Sequence, residues 1–165
     1  MKYGVLTLLL SDFTLTNNSL LRWRRVPEEC TDATQVARAI NAAFETYGIS
    51  SLRERVSLVA DILFESGNFK YNKNHYPGRP GQGTGMMAMP SFVKPYAESV
   101  AGAVAVAKAE AAGGDTGLDA LLELANGKDE KSFRIAAWFL STQCTDSIQS
   151  GLVTREIDGL HNRNR

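Results

Sequence analysis

The chain is short of most of what metal, membrane and nucleic-acid chemistry is built from. Of its 165 residues only two are histidine (His75, His161) and two cysteine (Cys30, Cys144). The cysteine spacing fits no zinc pattern, so no metal site and no cofactor is expected. No apolar run approaches the roughly 20 residues that a helix needs to cross a bilayer, and no membrane partner is expected. Charge of either sign is not in surplus, since eighteen basic and eighteen acidic residues leave a formal net charge of zero. A nucleic-acid binder gains affinity by clustering Lys and Arg against phosphates, so nucleic acid is not an expected partner either. Two basic clusters remain, Arg22, Arg24 and Arg25 near the start and Arg163 and Arg165 at the end, and both read as solvated terminal charge.

What is present suits one globular domain. Hydrophobic residues make up 44% and charged residues 22%, enough for a real core in a chain of single-domain size. The opening, Met1-Lys2-Tyr3-Gly4-Val5-Leu6-Thr7-Leu8-Leu9-Leu10, has the outline of a secretory signal but no small-x-small cleavage site. It reads equally as a strand, a degenerate signal or a mis-predicted start. Residues 1–29 are therefore taken as an extension and 30–160 as the domain, with a frayed tail after it.

Helical period governs most of that domain. Asp32 can cap a helix carrying Val36, Ile40, Phe44 and Tyr47, closed by Gly48. Ser51 and Glu54 form a capping box that opens a second helix, with Val56, Val59, Ile62 and Leu63 on its buried side and an end near Glu65-Ser66. Pro95 suits the first turn of a third helix running on through Ala112. Leu118, Leu121, Leu122 and Leu124 predict a shorter helix ending at Asn126-Gly127. The segment from Phe133 to Leu140, which includes Trp138, is apolar almost all round and predicts a helix at the centre. A last pattern follows with Ile148, Leu152 and Ile157.

Between Ser66 and Pro90 both periods fail. Three of five prolines and five of fourteen glycines fall there, and a loop of that length inside a compact domain is usually functional or disordered. Phe69, Tyr71, Tyr76 and three methionines argue that it is ordered against the body. At its root stands Glu65, in the last turn of a helix, where the dipole disfavours a negative charge by about 0.3–1 kcal/mol. Leu63, Phe64 and Phe69 can desolvate it and Asp61 lies one turn back, so its pKa is expected to be raised. Gly81-Gln82-Gly83-Thr84-Gly85 lacks the strand and the lysine of a nucleotide loop. A His75–Cys144 nucleophile pair is disfavoured against a structural cysteine.

The segment Phe64-Glu65-Ser66-Gly67-Asn68-Phe69-Lys70-Tyr71-Asn72-Lys73-Asn74, followed by Pro77-Gly78-Arg79-Pro80-Gly81-Gln82-Gly83-Thr84, resembles the active-site stretch of the lysozyme-like superfamily. That group comprises goose-type lysozymes, lytic transglycosylases and plant-type chitinases. The fuller wording from Cys30 to Cys144 also resembles a group of uncharacterised secreted fungal proteins. The resemblance implies a mainly α, lysozyme-like helical domain with a long ordered Gly/Pro-rich active-site loop. It implies a secreted glycoside hydrolase or lytic transglycosylase that cleaves a β-1,4 aminosugar polymer, peptidoglycan or chitin. Glu65 would be the proton donor and Thr84 would orient a water, while Ser66, Tyr71, Asn72, Asn74, Gln82 and Gly83 would contact the sugar. No Asp or Glu lies between Asn68 and Pro90, so a nucleophile carboxylate about 5–5.5 Å from the acid is missing from the loop. A monomer is expected, and a catalytically inactive, secreted lysozyme-like protein that binds glycan or a host protein is the alternative. The implied secretion favours a Cys30–Cys144 disulfide over two free thiols and agrees with the sequon at Asn17-Asn18-Ser19.

Overall fold

The computed structural model describes residues 29, 31, 33–127 and 130–154. Among the described residues there are seven helices: α1 (Ala33–Thr46), α2 (Leu52–Glu65), α3 (Pro90–Ala101), α4 (Ala103–Glu110), α5 (Gly114–Asn126), α6 (Glu130–Thr142) and α7 (Asp146–Thr154). The domain is mainly helical, as the periodicity predicts. None of these helices is long and apolar enough to cross a membrane.

α6 is the axis of the packing. Its Phe133, Ala136, Ala137 and Leu140 join Val36, Ile40 and Phe44 of α1 and Leu58, Val59 and Ile62 of α2 in one core. Its Ile135 and Trp138 turn to a second core with Val93, Tyr96 and Ala97 of α3 and Leu121, Leu122 and Ala125 of α5. A helix held between two cores needs apolar side chains all round, which is why this segment lacks a polar stripe.

The local signals set the helix ends. Ser51 Oγ accepts from the Glu54 amide at 3.1 Å and Glu54 Oε2 accepts from the Ser51 amide at 3.2 Å, the reciprocal box read from sequence. Pro90, not Pro95, occupies the first position of α3, and Pro95 lies inside that helix. The alanine-rich run is broken at Gly102, whose φ of +85° ends α3 before α4 begins. α2 buries Glu54, Leu58, Val59 and Ile62. Val56, expected inside, is 55% exposed. Ile148 is likewise exposed, and Asp32 and Ile157 lie outside the described residues.

Candidate functional site

The loop from Ser66 to Met89 is fastened to the helices by its own polar groups. Ser66, fully buried, donates from Oγ to the Ile62 carbonyl at 2.6 Å and accepts from the Phe69 amide at 2.8 Å. It thereby ends α2 and starts the turn that drives Phe69 into the first core, edge-on to Phe133 at 5.7 Å. Further along, Lys73 pairs with Gly83 and Gly83 with Ala88 through isolated antiparallel bridges. The Asn72 carbonyl accepts from the Thr84 amide at 2.7 Å and from Asn126 Nδ2 at 3.0 Å. Asn126 Oδ1 accepts from Ser132 Oγ at 2.9 Å, and the Ser132 carbonyl accepts from the Gly85 amide at 2.9 Å. The loop is thus tied to both α5 and α6.

Alternate glycines let this backbone lie flat on those helices. A Cβ at Gly83 would run into the Asn72 carbonyl oxygen and meet Leu122 at 2.9 Å; one at Gly85 would meet Phe133 at 2.7 Å. The two glycines flank the start of a turn, closed by the Met87 amide donating to the Thr84 carbonyl at 3.1 Å. Thr84, between them, is fully buried with φ +70°, rare for a β-branched residue, and its Oγ1 has no hydrogen-bond partner.

The outer side of the loop forms a cavity of about 340 Å³, lined by Tyr71, Lys73, Asn74, His75, Tyr76 and Met87. The chain entering α1 braces it. Glu29, buried, accepts from the Asn72 amide at 3.1 Å through Oε2 and pairs with His75 Nε2 at 2.8 Å through Oε1. The His75 ring lies 5.4 Å from that of Tyr71. Asn74 is locked by Gln82 Oε1 at 2.7 Å and by the Gly78 amide at 3.1 Å. Lys73 reaches Glu123 at 3.6 Å. Tyr76 is 93% exposed and forms an open apolar wall.

Of the residues singled out in the sequence, Tyr71, Asn74, Tyr76 and Met87 line the cavity. Ser66, Asn72, Gln82, Gly83 and Thr84 are engaged in holding the loop together, Gln82 also donating to the Met87 carbonyl at 3.1 Å. Glu65 stands at the loop root and is not among the cavity's lining residues. Burial, and then the charge of Asp61, push its carboxyl above the ordinary range. Phe64 takes no part in that burial, because it points outward with 83% of its surface exposed. Lys73 and Glu29 were missed, and His75 was weighed only as a partner of Cys144. Glu29 left no signal, since its contact spans more than forty residues. Among the described residues no three His, Cys, Asp or Glu side chains gather as a metal site.

No protein-family model matches the chain, and no solved structure matches it. Over 142 residues it is 35% identical to a bifunctional dioxygenase–epoxy alcohol synthase of Fusarium oxysporum (strain Fo5176). The match covers 80% of this chain and 10% of that protein, so the chain spans about a tenth of the relative's length. This overturns the lysozyme-like resemblance and, with it, the glycoside hydrolase or transglycosylase and its peptidoglycan or chitin partner. The similarity lies with an oxygenase-type protein, and no lysozyme-like structure matches. The geometry supplies a physical reason: Thr84, cast as the orienter of a catalytic water, is sealed from solvent, and Glu65 does not open onto the cavity. The expected disulfide is corrected too, because Cys144 is a free thiol. Cys30, the sequon at Asn17 and the opening apolar segment lie outside the described residues.

Proposed function

We propose that this chain is an accessory binding module of oxygenase-type proteins, holding an epoxy alcohol or a related oxygenated apolar chain in the cavity beside Tyr76. The observation that carries the reading is the lining of that cavity. Tyr71, Tyr76 and Met87 offer ring and thioether surface, and Lys73 and His75 bring hydrogen-bonding nitrogens to the same space. An apolar chain bearing epoxide and hydroxyl oxygens needs both kinds of wall: area for the hydrocarbon and donors for the oxygens. A volume of about 340 Å³ stands at the small end of ligand pockets, roughly 300–1,000 Å³. It takes the oxygenated segment and leaves the rest of the chain along the exposed Tyr76. The similarity to a dioxygenase–epoxy alcohol synthase supplies the ligand class.

The test is equilibrium binding of a long-chain epoxy alcohol and of its unoxygenated parent acid to the purified chain, with oxygen uptake followed in parallel. The expected result is preferential binding of the oxygenated ligand, weakened about tenfold or more in Tyr76→Ala, a loss of about 1.4 kcal/mol. Equal, non-specific partition of both ligands would sink the reading. Oxygen uptake by the chain alone would replace the module with an enzyme.

A further inference from the structure

The two faces of α2 do not divide as an amphipathic surface helix should. Glu54, Leu58, Val59 and Ile62 are buried on the inner face. On the outer face Leu52, Val56, Ala60 and Phe64 recur every fourth residue, and all four are exposed. The three large ones keep 71%, 55% and 83% of their surface open. Residues four apart on a helix are neighbours, so these side chains make one ribbon and not four scattered exposures. Single exposed apolar residues are ordinary, but a contiguous row is the mark of a contact surface.

Charge along the same helix is segregated. Arg53 stands in the first turn, Asp61 and Glu65 in the last two. Among the described residues neither of these carboxylates has a cation within ion-pair distance. They also repel one another, and burial together with the Asp61 charge holds the Glu65 carboxyl above the ordinary range. The C-terminal half of α2 therefore lacks a cation, whereas the N-terminal half carries Arg53 and Arg55, the latter held against the body by the Ile49 carbonyl and the Phe44 ring.

This pattern is complementary to itself when reversed. If a second α2 lies antiparallel across the ribbon, about a twofold axis near Leu58, Leu52 faces Phe64 of the second copy and Val56 faces its Ala60. Arg53, on one flank of the ribbon, comes opposite Asp61 on the same flank of the other copy, and the axis makes each such pair occur twice. A parallel arrangement would set like charges side by side. Antiparallel helices also bring opposite dipole ends together.

We propose that the outer face of α2 is a homodimer interface, in which two copies pair antiparallel through Leu52, Val56, Ala60 and Phe64 with reciprocal Arg53–Asp61 contacts. One helix pair buries less than the roughly 800 Å² per partner of a stable complex, so the dimer forms with rising concentration. The inference does not depend on the ligand proposed for the loop cavity.

The experiment is sedimentation equilibrium of the full chain over a wide concentration range. The mass is expected to climb from 18.0 kDa towards twice that value. Val56→Asp, at an exposed position that leaves the core untouched, abolishes the climb. Arg53→Glu and Asp61→Arg each weaken association several-fold, and the double variant restores it, because the reversed pair regains its complement. A wild-type chain that stays monomeric throughout overturns the proposal; protection of the α2 amides in that monomer would assign the ribbon to another segment of the same chain. A dimer indifferent to Val56→Asp, or a double variant no better than the singles, also overturns it.

Discussion

The helices and the loop of this protein are stabilised by opposite means. In the helical body the residues that matter are apolar and repeat with the helix, filling two cores on either side of α6. In the loop they are polar or lack a side chain altogether, and they act on backbone: Ser66 on Ile62 and Phe69, Asn126 on Asn72, and Gly83 by its missing Cβ. The two regions consequently fail in different ways. A truncation in the body leaves a void, which its neighbours partly close. An addition in the loop has nowhere to go, because what it meets is backbone and a packed leucine.

Trp138→Ala is expected to give the largest loss, about 3–5 kcal/mol. The indole is 6% exposed in the second core, with its ring 5.2 Å from that of Tyr96. The denaturation midpoint should fall with little change in slope. A loss under about 1 kcal/mol would mean that the second core is loosely packed, and that the contrast between body and loop is overdrawn.

Gly83→Ala comes next, at about 2–3 kcal/mol. It adds one carbon where Gly→Ala in an open helix would stabilise. The new Cβ would strike the Asn72 carbonyl, which must keep accepting from Thr84 and Asn126. Amide exchange should separate the two regions: protection is lost at Thr84 and Ala88 while α1 and α6 keep theirs. Uniform loss across the chain would show that loop and body unfold as one unit.

The same contrast explains what could be read in the sequence. Helix positions were legible because burial there follows a period, and the box at Ser51, the end of α2 near Glu65-Ser66 and the all-round apolar α6 follow from local chemistry. Val56 misled for a related reason: an apolar residue on an amphipathic helix reads as core, and sequence has no sign for an outward ribbon. The loop was legible as ordered and important, but not in its roles. Asn72, Gln82 and Thr84 are residue types that bind sugars as readily as they hold backbone, and only the fold decides which. The partner of Asn72 lies on α5 and that of His75 ahead of α1. Such long-range pairings leave no mark on spacing. The motif's wording was therefore open to a glycosidase reading that its geometry and its oxygenase-type relative do not support.

The smallest effect tests the seam between the two regions, at Asp61 and Glu65. Both carboxyls are raised above their ordinary values by burial, and Glu65 further by Asp61. A carboxyl whose pKa is higher in the folded chain than in the unfolded one binds its proton more tightly when folded, so ionisation costs stability. Its favourable contribution is complete below the ordinary carboxylate range and is lost as pH rises through the raised value. At neutral pH Asp61 is thus a liability twice over, through its own burial and through its repulsion of Glu65. Asp61→Asn should therefore stabilise the chain at pH 7, by no more than about 0.3–0.5 kcal/mol because the carboxyl is only partly withdrawn from water and its charge is screened. The gain should vanish near pH 3, where the native carboxyl is already neutral. The measurement is a pair of urea titrations at each pH, made at a dilution where the chain is monomeric so that association does not contribute. A loss at pH 7 would mean that the Asp61 carboxylate has a favourable partner in solution, and the end of α2 would then be held by charge as the loop is held by hydrogen bonds.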